Sequence, residues 1–315
     1  MHSTLVELST FDLLSVDGED SKKFLQGQFS CNTQNLNTEL SLMGALCNVK
    51  GRVISDFRLF EYQQTCFIQL SSGMAEIVKS VLDKYIVFSK AETNIVNNRF
   101  RRYGLLGNDA HRVLEELFTE VPMDDGAMVT KEEYVLIKVP GFIPRYEIWQ
   151  DSLSPEQENE HSSDLISAIQ AQSAQADAGM WNIEDIKSGI AHIGPGTSEQ
   201  FLPEALNYDL SGVIDFNKGC YTGQEIIARM FYRGTAKKRL FHAHGPTTST
   251  QPISVSHQHN NTLVTDDIIS LEKTADDHCH LLVILPTDAV ETGVHFHLSS
   301  EQNSQLELSP LPYSS

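Results

Sequence analysis

Short apolar runs separated by turn residues dominate the first half of the chain. Val6 to Leu8 and Phe11 to Val16 read as strands, the second ending at Asp17-Gly18, and an amphipathic helix follows from Asp20 through Phe24-Leu25 to Gln28. Ser41 to Asn48, Arg52 to Tyr62 and Thr65 to Leu70 alternate or cluster apolar side chains between turn signals at Lys50-Gly51 and Gln63-Gln64, the pattern of an antiparallel meander. Ile77, Val78, Val81, Leu82 and Tyr85 recur at helical spacing and predict a helix from Met74 to Tyr85. A second block repeats the style, with strands at Glu92 to Val96, Phe100 to Leu106, Tyr134 to Val139 and Arg145 to Gln150, and a helix from Asp109 to Phe118. Strands in runs with helices laid on one face predict an α+β arrangement with antiparallel sheets, not a parallel one.

Asp151 to Glu160 is acidic, contains proline and has few apolar residues, so it reads as an exposed loop; a break near 150–162 would split the region into two lobes. A helical stretch from Ser163 to Gln175 follows. After Leu240 the pattern changes to strand-like runs, among them Ile268 to Leu271, His280 to Leu285 and Val294 to Leu298. This predicts a small β-barrel-like domain over 241–315, beside an α+β region over 1–240.

Composition narrows the classes. A chain of 315 residues that is 40% hydrophobic can bury a substantial core in two or three domains. No apolar stretch approaches the roughly 18 residues of a membrane span, and Met1-His2-Ser3-Thr4 lacks the basic start of a signal peptide, which predicts a soluble cytoplasmic protein. Cys31, Cys47, Cys66, Cys220 and Cys279 form no Cys-x-x-Cys pair, so reduced thiols are expected in place of a disulfide framework or conventional zinc site. Acidic side chains outnumber basic ones 42 to 23, and the net charge of −19 repels nucleic acid and anionic membrane. RNA contact would need the local patches Arg99, Arg101, Arg102 or Lys237-Lys238-Arg239; both read as solvated element ends. No Gly-x-Gly-x-x-Gly or Walker motif is present.

The densest chemistry lies in Lys218-Gly219-Cys220-Tyr221-Thr222-Gly223-Gln224-Glu225, continuing to Arg229. Gly219 and Gly223 permit positive φ and close backbone approach, and Gln224 opens a helix running to about Tyr232. Helix N–H groups together with Lys218 would favour a Cys220 thiolate, with Arg229 helping and Glu225 opposing. Taken alone, a cysteine in a tight turn is more often a small hydrophobe.

The octapeptide, with Ala228-Arg229, Tyr232-Arg233-Gly234 and Lys237-Lys238-Arg239-Leu240 after it, resembles the signature of the YgfZ family, folate-binding relatives of the glycine-cleavage T-protein and of a mitochondrial iron–sulfur maturation factor. Phe24 to Gln28 with Asn32-Thr33, Cys47 to Arg52 with Ser55 to Phe60, the run from Trp181 to Asp209, and Leu306 to Tyr313 extend the resemblance over nearly the whole chain. Ala191 and Glu204 depart from it, standing where the family has proline and glutamine.

The resemblance implies a tetrahydrofolate-type ligand held against Trp181 and Phe11, the latter where tryptophan is more usual, with the Cys220 loop facing it. A flat aromatic against a pterin gains roughly 1 kcal/mol beyond burial. It also implies assistance to iron–sulfur cluster assembly or repair, and so to tRNA modification by cluster-dependent enzymes. Cys220 would then act as thiol, with Tyr221, Gln224 and Glu225 shaping the loop. One thiol cannot hold a cluster permanently, so no resident metal is expected and the partners are iron–sulfur proteins. The alternatives are a folate-dependent aminomethyl transferase, for which Asp56 is the nearest acid though it reads as structural, and a tRNA-contacting factor. Four His-x-His pairs, at 242/244, 257/259, 278/280 and 295/297, fall outside the resemblance. On a strand each pair shares a face and could offer two imidazoles to one metal, with Cys279 inside one pair; a metal site usually also needs a nearby carboxylate or thiol and a fixed second shell, so they read as surface histidines and not as a metal site.

Overall fold

The computed structural model describes residues 3–9, 11–152, 162–247, 254–259, 262–298 and 304–313. In chain order come β1 (Thr4–Glu7), β2 (Phe11–Asp17), α1 (Ser21–Gln26), β3 (Leu42–Cys47), β4 (Val53–Tyr62), β5 (Thr65–Ser71) and α2 (Ala75–Leu82). Next are β6 (Glu92–Ile95), β7 (Phe100–Leu106), α3 (Ala110–Glu115), β8 (Met128–Lys131), β9 (Tyr134–Lys138) and β10 (Arg145–Asp151). Then follow α4 (Ser162–Gln172), β11 (Ala174–Ala176), α5 (Ala178–Lys187) and α6 (Gln224–Arg233). The chain ends with β12 (Lys238–Pro246), β13 (Val255–His259), β14 (Thr262–Lys273), β15 (His278–Pro286), α7 (Thr287–Glu291), β16 (Phe296–Leu298) and β17 (Gln305–Ser309).

The expected α+β class and C-terminal barrel are both present. One sheet has the order β3-β4-β5-β2-β6, a second β11-β1-β7-β10-β9-β8, and the last six strands close a barrel. The first two sheets pack face to face through Leu13, Phe60, Phe67, Phe100, Val135, Ile137 and Trp149. On the outer face of the first sheet, Leu14, Val16, Leu59 and Ile68 pack with Val78 and Leu82 of α2. On the outer face of the second, Leu105, Tyr146 and Ile148 pack with Val113 and Leu114 of α3 and Ile169 of α4. β2 and β4 are thus buried on both faces, which is why their apolar positions cluster instead of strictly alternating.

Several expectations shift. β8 and β11 were not anticipated: β8 is four residues with two partly buried positions, and β11 is held by parallel pairing with β1 from the far end of the chain. The helix expected to Gln175 therefore stops at Gln172. Trp181 does not begin its helix. Asp177 is the N-cap, its carboxylate accepting from Gly179 N at 2.9 Å, so Trp181 stands one turn in. The acidic loop lies, over 153–160, outside the described residues. Among the described residues no helix is long and apolar enough to cross a membrane.

Candidate functional site

Three cavities run in series between the first sheet, α5 and the barrel. One of about 370 Å³ is bordered by Phe11, Asn182, Asp185, His192, Gly194 and Glu272. Another of about 380 Å³ is bordered by Met43, Asp56, Arg58, Ser188, Tyr208 and Tyr313. A constriction of about 20 Å³ shares Phe11, Ser71, Asp185, Ile190 and His192 with the first and Met43, Asp56, Arg58 and Ile190 with the second. Each chamber is of ordinary ligand-pocket size.

Charged groups cluster at the constriction. Asp56, on β4, reaches His192 Nδ1 through Oδ2 at 3.0 Å, and its Oδ1 accepts from Ile193 N at 2.6 Å. Asp185, on α5, lies 3.3 Å from His192 Nε2 and 2.7 Å from Arg145 Nη1. Burial opposes charge on His192, but Asp56 and Asp185 more than offset it and raise its pKa to about 10. Burial likewise pushes the Asp185 carboxyl up, and Arg145 and His192 together bring it below the usual carboxylate range. His192 is therefore an imidazolium clamped between two carboxylates. A second pair follows on the same wall: Arg58 Nε lies 3.6 Å from Glu147 Oε1, and Trp149 Nε1 donates to Glu147 Oε2 at 3.0 Å.

Trp181 and Phe11 border the constriction and belong to one apolar cluster with Leu106 and Val139. The Trp181 ring, however, is covered by the protein itself. The Arg145 guanidinium carbon sits 4.9 Å from its centroid, and a Cβ on Gly104 would overlap its Cε3 edge. Phe11 meets His192 edge-on at 5.4 Å. Buried polar atoms without hydrogen-bond partners among the described residues cluster here too: Gln69 Oε1, Ser71 Oγ and Arg58 Nε, the last held only by its 3.6 Å ion pair to Glu147. Such atoms carry a desolvation cost that a polar ligand would relieve.

The cysteine motif builds a separate place. Residues 218–225 border none of the three cavities, so the expectation that the Cys220 loop faces the folate pocket is corrected. The loop instead packs on the other family-like segments. Gly223, at φ +84°, caps α6, and a Cβ there would stand 2.5 Å from Asn48 O and 3.2 Å from Gly51 Cα. Lys218 Nζ donates to Gln26 O at 2.8 Å and to Phe29 O, and lies 5.0 Å from the Tyr221 ring centroid.

The ammonium of Lys218 is thus turned inward, away from the role of thiolate activator. Burial lowers its pKa to about 8, and the charges that bear on it are those of Cys31 and Asp215. Cys220 itself is exposed, whereas Cys31, Cys47, Cys66 and Cys279 are buried. Tyr221 is buried, Gln224 half-buried, and Glu225 and Arg229 face solvent. The loop and the cavity meet the same hairpin at different places: Gly51, in the β3–β4 turn, touches the loop, and Asp56 lies inside β4.

One arginine of each basic patch is ion-paired. Arg239 pairs bidentately with Asp209 at 2.8 and 2.9 Å, and Arg99 lies 2.6 Å from Asp151. Sequence reasoning passed over His192, Asp185, Arg145, Arg58 and Glu147. The signal within reach was Asp185 and His192 inside the family-like run from Trp181.

No protein-family model matches the chain. The backbone is similar to that of glycine cleavage system aminomethyltransferase T from Bartonella henselae, with a TM-score of 0.75 over 99% of this chain and 86% of that one; at 14% identity this speaks to the fold alone. The tRNA-modifying protein YgfZ of Photobacterium profundum is 30% identical over 319 residues, spanning 98% of this chain and 91% of the relative. That of Hamiltonella defensa is 34% identical over 239 residues, covering 76% of this chain and 69% of the relative. With relatives at 30% and 34% identity covering 98% and 76% of it, the chain belongs to the YgfZ family.

Proposed function

We propose that this protein binds tetrahydrofolate or a one-carbon derivative in the central cavities, and presents the Cys220 thiol to iron–sulfur proteins whose clusters it helps assemble or repair. tRNA modification by cluster-dependent enzymes would be sustained in turn, in keeping with the name tRNA-modifying protein that its relatives carry. The observation that carries the folate reading is the pair of polar atoms without hydrogen-bond partners, Gln69 Oε1 and Ser71 Oγ, with Arg58 Nε held only by its long ion pair to Glu147, beside the apolar surface of Phe11, Met43 and Leu70. A pterin has that character, a flat ring with donors and acceptors along one edge. Arg58, Gln69 and Ser71 would meet the edge and Phe11 the ring, while Trp181, held by Arg145, shapes the wall. A bound reduced folate would supply a nitrogen able to carry a one-carbon unit.

The thiol reading is supported by exposure: Cys220 is open to a macromolecular partner while the other four thiols are buried. A single exposed thiol suits transient contact and not a resident cluster. The aminomethyl transferase reading has less support. Both Asp56 oxygens are engaged by His192 and Ile193, which leaves that carboxylate poorly placed to take a proton from a substrate. Direct tRNA binding is likewise disfavoured by a net charge of −19 and by the pairing of Arg99 and Arg239.

Calorimetric titration with 5-formyltetrahydrofolate tests the ligand. The wild type should bind saturably at one site per chain, and Phe11→Ala should bind at least about tenfold more weakly, the loss of one ring contact and its burial. Absence of binding by the wild type would overturn the folate assignment. For the thiol, a Cys220→Ser chain that fully restores cluster-enzyme activity in a strain lacking this protein would remove Cys220 from the function.

A further inference from the structure

The segment around the exposed thiol reverses the charge of the chain. From residue 210 to residue 240 the basic side chains are Lys218, Arg229, Arg233, Lys237, Lys238 and Arg239, and the acidic ones only Asp215 and Glu225, in a chain whose acids outnumber its bases 42 to 23. Lys218 is engaged internally by the Gln26 and Phe29 carbonyls, and Arg239 by Asp209. Arg229, Arg233 and Lys237 are exposed and stand in no ion pair among the described residues. Arg229 and Arg233 are one helical turn apart and share a face of α6.

Apolar groups lie open beside these charges. Phe231 and Tyr232, in the last turn of α6, are 41% and 69% exposed. Phe231 stacks on Phe216 with centroids 3.9 Å apart and meets Tyr232 edge-on at 5.0 Å, so the three rings form one cluster with its outer part uncovered. Phe216 also borders a cavity of about 390 Å³, along with Cys31, Leu42, Met43 and Ile214. The β3–β4 turn adjoins the other end of the helix. A Cβ on Gly51 would stand 3.0 Å from Ile226 Cγ2, and in the same turn Val49 is 71% exposed and Lys50 faces solvent.

Uncovered rings and arginines beside a pocket are the composition found at the centre of protein–protein interfaces. The thiol borders this surface. Phe216 and Cys220 are four residues apart, so their Cα atoms are separated by at most about 14 Å, and Gly223, three residues beyond Cys220, caps α6.

We propose that α6, the Phe216 ring and the 49–50 turn form a docking face for an acidic segment of a protein partner, one that carries aromatic or aliphatic side chains, and that docking seats this partner beside Cys220. Charge selects the occupant. Carboxylates complement Arg229, Arg233 and Lys50, while the acidic remainder of the chain repels the same segment elsewhere and so steers it to this face. A ring on the partner packs against Phe231 and Tyr232. Docking of this kind rests on the reading that Cys220 meets a protein, and it defines the chemistry of that protein's contact segment. Single-stranded RNA would call on the same rings and arginines, and the test separates the two.

The test uses the full chain and, as probe, a fluorescent random copolymer of glutamate and tyrosine, with polyuridylate for comparison. The copolymer should bind saturably, bind more weakly as salt rises, and slow the reaction of Cys220 with DTNB. Arg229→Glu combined with Arg233→Glu should weaken copolymer binding at least about tenfold. Tyr232→Ala should weaken it about tenfold. These side chains are exposed, and circular dichroism checks that each variant folds. Arg101→Glu, at an exposed position of β7, should leave binding unchanged. Cys220→Ser should bind the copolymer as the wild type does, so failure of the thiol assignment in the cluster-enzyme assay and failure of the docking face are read separately. Absence of copolymer binding, with or without binding of polyuridylate, overturns the proposal. So does copolymer binding that survives the paired charge reversal or leaves the reactivity of Cys220 unchanged.

Discussion

Asp185→Asn removes one carboxylate from the centre of the molecule and leaves its shape. In the wild type Arg145 is wholly buried, with Asp185 at 2.7 Å. Its Nε donates to Pro140 O at 2.7 Å, but Nη1 and Nη2 have no well-aligned acceptor among the described residues, so the ion pair is what compensates the guanidinium charge. Removing one partner of a buried pair costs about 3–5 kcal/mol, because the other charge stays behind unpaired. His192 is affected as well, since it then keeps only Asp56.

The pH dependence follows with a definite sign. A histidine whose folded pKa is raised from 6.5 to about 10 adds stability that is fully present below about pH 6.5 and is lost as pH rises through about 10. In Asp185→Asn that folded pKa falls, so the remaining contribution disappears at lower pH. Urea unfolding between about pH 6 and pH 10, followed by fluorescence, reads both effects. Trp149 and Trp181 are both buried in the α+β region, so the signal reports the unit that holds the site. Adding Arg145→Met to Asp185→Asn should recover part of the loss. A destabilisation under about 1 kcal/mol, with an unchanged pH profile, would refute the buried-pair reasoning.

Two further predictions concern the loop. Gly223→Ala should destabilise by about 1–3 kcal/mol or more, since φ +84° is strained for alanine and its Cβ would press on Asn48 O, and the loss should show in urea midpoints. In the folded protein Cys220 alone should react rapidly with a thiol reagent such as DTNB, with the other four released only on unfolding; a second fast thiol would contradict the burial pattern.

Local patterning was legible where neighbours in sequence are neighbours in space. The β3–β5 meander follows from apolar clustering and its turns, and Gln63 and Gln64 do adopt positive φ, at 50° and 67°. Cys220 stood out because reactive groups crowd within eight residues. The charge network did not, because its members are scattered: Asp56 and His192 are 136 residues apart, and a single histidine carries no pattern. Lys218 was misassigned for a related reason. Proximity in sequence to Cys220 suggested activation of the thiol, whereas the ammonium is captured by carbonyls from Gln26 and Phe29, which the fold alone brings near. The histidine pairs were visible, but the contact of His242 with His280 across β12 and β15 needed the barrel to close.

The central claim is that a folate occupies the cavity series at Phe11, Arg58 and Gln69. Cocrystallisation with saturating 5-formyltetrahydrofolate tests it most directly. Density for a pterin lying against Phe11, with its polar edge at Arg58, Gln69 or Ser71, is the predicted result. A ligand bound at another surface, or cavities left without folate density in crystals that diffract well, would contradict it.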